Sequence, residues 1–151
     1  SLEGITLRHF FSHVAFKGKT DMAWNLSSKG FLMTLSGYVP ALVKEDFDAL
    51  VAKALDNASL NKTDITHWCI HPGGKKVLEA VEKSIFLPIE GLKHSYKILR
   101  DYGNMSSPTI LFVLQSIFDE LRNSASKKTA NIFGAAFGPG LTMETFIASY
   151  D

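Results

Sequence analysis

The sequence predicts an α/β domain, and three features carry that expectation. Short segments rich in β-branched and aromatic residues open the chain, each bounded by turn signals. Two stretches with apolar residues at helical spacing then flank the apolar run Trp68-Cys69-Ile70. Two further strand-like segments close the chain on either side of Gly138-Pro139-Gly140.

Taken in order, residues 5–14 mix aromatic and β-branched side chains with His9 and His13 and read as a strand. Gly18-Lys19-Thr20-Asp21 is a turn. Residues 22–26 form a second strand, and Ser27-Ser28-Lys29-Gly30 turns it into a third over 31–36. Pro40 suits the first turn of a helix whose buried face is Leu42, Val43, Phe47, Leu50, Val51, Ala54 and Leu55. Polar residues 57–64 loop into a strand over 65–70. Helical periodicity returns over 74–86 through Val77, Leu78, Val81 and Ile85, and Pro88 interrupts it. A short helix is expected over 96–101, stopped by Gly103. Ser107 as N-cap and Pro108 at the first helical position open the next helix. That helix carries apolar residues over roughly 160° of its circumference, with Phe112 on the opposite face. A helix of this kind is usually buried between layers. Strands over 130–137 and 141–149 end the chain.

Composition bounds the function. With 151 residues the chain suits one domain with a substantial core, and 46% hydrophobic and 21% charged residues are globular values. Sixteen basic against fifteen acidic side chains give net charge +1, so nothing favours nucleic acid or an acidic partner. The single cysteine precludes an internal disulfide and suits a reducing, cytoplasmic setting. No apolar run approaches the roughly 20 residues of a membrane span, and no secretory leader pattern is seen.

The chemistry concentrates in His71-Pro72-Gly73-Gly74 and Gly103-Asn104-Met105-Ser106-Ser107. Each places a side-chain N–H donor at the mouth of a turn, and a His and an Asn converging on one carbonyl oxygen can hold an oxyanion or an enolate. Glycines beside His71 let backbone and substrate approach. Taken alone, a strand-end histidine is more often structural, and Gly-Asn is common turn chemistry. Cys69 shares a strand face with His71, but its apolar surroundings mark a buried thiol rather than a nucleophile. His9, His13, His67 and His94 show no metal-ligand spacing, and the carboxylates form no acid–base pair.

The motifs HPGG, YGNMSSPT and FGPGLTMET, in that order over residues 71–145, resemble the carboxyl-terminal half of type III polyketide synthases, the chalcone-synthase-like enzymes. Weaker similarity reaches back to Gly30. The resemblance implies half of a thiolase-like fold, a mixed sheet with helices on its faces, with residues 1–151 as a single domain. The helix after Ser107 would be the central layer between two sheets. The nucleophilic cysteine of such enzymes lies in an amino-terminal half that this sequence does not include.

By the same resemblance, His71 and Asn104 are the catalytic donors, holding the enolate formed when malonyl-CoA loses carbon dioxide and the oxyanion of condensation. His71 as imidazolium would also stabilise the cysteine thiolate. Gly73, Gly74 and Ser106 accompany them on the substrate side, and Gly138 and Pro139 line the cavity in which the polyketide folds. Ala136 replaces a glycine of plant members. Met33 falls where plant enzymes carry a gatekeeper phenylalanine, and Trp24 where they carry a small pocket glycine. A Met or Trp on a strand is as often core; in the cavity wall, Trp24 would disfavour a bulky starter with several extensions. The implied partners are acyl-CoA and malonyl-CoA thioesters, the missing half, and a second copy of the chain packed through the 107–123 helix with His71 and Asn104 near the interface; no metal or cofactor is implied. Two other readings remain open: the carboxyl-terminal half of a ketoacyl synthase III-like enzyme, and a non-catalytic thiolase-like binding domain.

Overall fold

The computed structural model describes residues 4–88, 90–124 and 129–151. Strand β1 (Ile5–Val14) leads through a 3-10 turn at Phe16–Gly18 into β2 (Met22–Ser27) and β3 (Gly30–Leu35). Helix α1 (Val39–Asn57), strand β4 (His67–Ile70) and helices α2 (Lys75–Ile85), α3 (Lys93–Tyr102) and α4 (Thr109–Asn123) follow. Strands β5 (Ala130–Gly138) and β6 (Thr142–Tyr150) complete the order.

Four strands form one mixed sheet in the order β1-β6-β5-β4, with β4 parallel to β5 and the other neighbours antiparallel. Side chains alternate across a strand, and the two faces are covered by different helices. Trp68, Ile70, Phe133, Ala135, Met143 and Ile147 join one core with the buried stripes of α1 and α2. Cys69, Ile132, Ala148 and Tyr150 join a second core with Val113, Ile117 and Leu121 of α4. The stripe expected on α1 is buried as read, except that Leu42 is only half-buried. Fully buried Val, Leu and Phe side chains contribute about 1.5–3 kcal/mol each, so this stripe and its counterpart on α2 fix the outer helical layer.

Two expected helix starts change. Helix α3 starts at Lys93 rather than 96, because Leu92 is wholly buried and Tyr96 N–H already bonds the Leu92 carbonyl at 3.0 Å. Helix α4 starts at Thr109, with Pro108 at the cap position, so Ser107 is not the N-cap. The reason is local: Ser106 takes φ 65°, and the Thr109 hydroxyl, not that of Ser107, closes the turn. Helix α4 packs one side against this chain's sheet and leaves the other side open. Val113, Ile117 and Leu121 meet the sheet, while Leu111 is 63% and Phe112 41% exposed. Among the described aromatic rings, Phe112 meets Tyr102, with centroids 5.4 Å apart and the planes tilted by 55°.

Strands β2 and β3 form a separate two-stranded sheet. Cross-strand partners share a face, so the pairs Met22–Leu35, Trp24–Met33 and Leu26–Phe31 make one face entirely apolar. The other carries Asn25, Thr34 and Ser27.

Candidate active site

The topology gathers the predicted site residues at one end of the main sheet. Because β4 and β5 run parallel, His71 at the end of β4 and Gly138 at the end of β5 lie at the same edge. Strand β1, antiparallel to β6, ends there too and delivers the β2–β3 hairpin. The Gly140 N–H bonds the Met22 carbonyl at 2.7 Å, tying the Gly138-Pro139-Gly140 turn to the base of that hairpin.

His71 extends the ladder one residue beyond β4, its N–H bonding the Ala135 carbonyl at 2.8 Å. It is 8% exposed, and no described residue hydrogen-bonds its ring. Burial lowers its pKa, so the chain alone favours neutral imidazole with one ring N–H to donate. The imidazolium that the resemblance implies needs an anion beside the ring, and no described residue supplies one by hydrogen bonding.

The next turn brings Asn104 alongside. Gly73 N–H bonds the His71 carbonyl at 3.0 Å, and Asn104 Nδ2 donates to the Gly73 carbonyl at 3.1 Å. Asn104 Oδ1 accepts the Ser106 N–H at 2.9 Å. One N–H of the carboxamide therefore stays without a partner among the described residues, on an exposed side chain. The two motifs are joined through a single carbonyl, beside His71. Neither glycine of the first motif is forced by packing: a side chain at 73 would meet His71 at an ordinary 3.7 Å, and one at 74 would meet nothing. What they do is leave the space beside the imidazole uncovered. Gly138 is different, since a Cβ there would come within 2.6 Å of Thr142 Oγ1.

Ser106 lies in the turn itself, in the left-handed region. Pro139 is exposed at the hairpin tip. The positive end of the α4 dipole lies beyond this turn, since α4 begins at Thr109. Trp24 and Met33 pair across the hairpin and are 54% and 43% exposed, so neither is buried within this chain. Cys69 is fully buried, its Sγ directed at the Ile110 carbonyl at 3.6 Å, and burial pushes its thiol pKa far up. Buried in this way, it lacks the accessible thiolate that a nucleophile needs.

Sequence reasoning missed a polar cluster at the other end of β4. His67 Nε2 and His94 Nε2 each stand 3.4 Å from one oxygen of Glu120, and Lys93 Nζ is 2.5 Å from the same carboxylate. A cavity of about 360 Å³ opens over them, with Trp68 and Leu87 in its wall. The four side chains come from three elements, so no local spacing announces them. Burial lowers the pKa of both histidines against the opposing pull of Glu120. Among the described residues, no three His, Cys, Asp or Glu side chains form a group able to hold a metal ion.

The sequence profile described as "Chalcone and stilbene synthases, C-terminal domain" matches residues 10–149. The chain belongs to that family. Its fold is accordingly α/β and thiolase-like: PKS-I from the brown alga Ectocarpus siliculosus superposes with a TM-score of 0.86 over 97% of this chain and 40% of that one, at 23% identity. Among curated relatives, the Bacillus subtilis (strain 168) protein named "Putative chalcone synthase" is 37% identical over 86% of this chain and 35% of its own length. The Arabidopsis thaliana protein named "Type III polyketide synthase C" is 35% identical over 81% of this chain and 32% of its own. The chain thus spans about a third of the length of the curated relatives it matches.

Proposed function

We propose that this chain serves a type III polyketide synthase that condenses malonyl-CoA decarboxylatively onto an acyl-CoA starter. The observation that carries the reading is the juncture at Gly73, where the Asn104 carboxamide is bonded beside His71 and keeps one N–H to offer. The His71 ring N–H and that amide N–H would hold the enolate oxygen left when malonyl-CoA loses carbon dioxide. In condensation they would hold the tetrahedral oxyanion. The acyl group needs a thiolate, and buried Cys69 does not provide it. The nucleophile must therefore come from chain beyond these 151 residues, and this chain alone is inactive. No cofactor is required beyond the thioester substrates. The apolar face of the β2–β3 hairpin and the Gly138-Pro139 turn would wall the elongation cavity once covered by that additional chain.

The test is direct. The complete protein, given acyl-CoA and malonyl-CoA, should release carbon dioxide and form a polyketide. Decarboxylation and condensation both absent in a folded complete protein would sink the reading.

A further inference from the structure

We infer that Thr109 is a positioning residue that sets the orientation of the Asn104 carboxamide. The inference rests on the reading of Asn104 as the amide donor. Thr109 is the first residue of α4 and is fully buried. Its hydroxyl works in both directions: Oγ1 accepts the Met105 N–H at 2.8 Å and donates to the Ser106 carbonyl at 2.7 Å. Its own backbone N–H bonds that carbonyl too, at 3.0 Å. The turn so closed is a strained one. Ser106 stands at φ 65°, a region that residues with a Cβ rarely occupy. Thr109 holds it there from the carbonyl side.

The consequence reaches the amide through a continuous series of contacts. Ser106 N–H fixes Asn104 Oδ1 at 2.9 Å, which sets the plane of the carboxamide. Nδ2 then bonds the Gly73 carbonyl at 3.1 Å, and Gly73 N–H bonds the His71 carbonyl at 3.0 Å. Without the hydroxyl, Met105 N–H loses its partner and Ser106 loses one of the bonds that keep it left-handed. The carboxamide then loses its fixed plane while α4 keeps its packing through Val113 and Ile117. An aliphatic side chain of the same shape supports the helix but not the turn. Serine supports the turn.

The experiment uses the isotope-labelled complete protein and needs no turnover. In the wild type, the Met105 backbone amide should exchange at least tenfold more slowly than an unprotected amide. The Asn104 side-chain amide should show the heteronuclear NOE of an ordered group. Thr109→Val should abolish both with the melting transition retained, and Thr109→Ser should keep both. An unprotected Met105 amide in the wild type overturns the proposal, a result that does not depend on any variant folding. So does an ordered Asn104 amide in Thr109→Val. In the complete enzyme, Thr109→Val should lower kcat about tenfold with KM unchanged, and Thr109→Ser should restore it. If the amide responds as stated while Asn104→Ala leaves turnover intact, the positioning stands and the catalytic reading of Asn104 fails.

Discussion

His71 and Asn104 do different physical work although both offer an N–H. The imidazole is buried and unbonded among its described neighbours, and that burial lowers its pKa and favours the neutral form. The carboxamide is exposed but anchored at both ends, so its remaining N–H is already oriented. Protonation ties this picture to stability. Burial lowers the pKa of His67, His71 and His94, whereas each titrates near 6.5 when unfolded. As pH falls below about 6.5 the unfolded chain takes up protons that the folded chain declines, so stability drops through the folded pKa values. The melting temperature should be lower at pH 5.5 than at 7.5, and His94→Gln should flatten that slope. A melting temperature that rises on acidification would mean that the pull of Glu120 outweighs burial.

At the scale of elements, the β2–β3 hairpin stands apart from the main sheet, and β3 is exposed along its whole length. Its apolar face exposes Leu26 at 80% and Phe31 at 73%, beside Trp24 and Met33. A hairpin of two strands is marginal by itself, so this face needs a covering surface. If Trp24 narrows an elongation cavity, Trp24→Gly in the complete enzyme should lengthen products or admit larger starters. Unchanged product length and starter range would remove Trp24 from the cavity wall. The hairpin also shows where sequence reasoning ends. Alternation and the Ser27-Gly30 turn made its strands legible, and the periodic stripe did the same for α1. Exposure was not legible, because an apolar strand face reads alike whether its cover lies in this chain or elsewhere. The start of α4 was misplaced for a related reason. Ser107-Pro108 is a good local signal, but Ser106 takes a left-handed turn whose carbonyl is held by both the backbone N–H and the hydroxyl of Thr109. The His67–His94–Glu120 cluster joins three elements and left no pattern to find. His71 and Asn104 were legible as a pair only because their motifs occur together.

For the whole molecule, the decisive fact is that β4, β5 and β6 carry a packed core on each face and yet α4 still shows apolar side chains to solvent. Exposing Leu111 and Phe112 forgoes roughly 1.5–3 kcal/mol per fully buried side chain, and patches of this kind usually find partners. We expect the isolated chain to form a two-fold homodimer through the α4 helices, with His71 and Asn104 near the interface. Sedimentation of a stable monomer in dilute buffer would contradict this. The isolated chain should also give no polyketide, and incubation with acyl-CoA should leave Cys69 unmodified by mass. A stoichiometric acyl adduct on Cys69 would overturn the assignment of the nucleophile to chain outside these residues. The central claim is that His71 acts on substrate rather than on the fold. Its most direct test is turnover and melting temperature of His71→Ala in the complete enzyme, measured side by side. Loss of one oxyanion donor costs about 2.7–4 kcal/mol in comparable sites, so turnover should fall by roughly two to three orders of magnitude with the melting temperature little changed. Near-normal turnover would contradict the account, as would a loss matched by collapse of the melting transition.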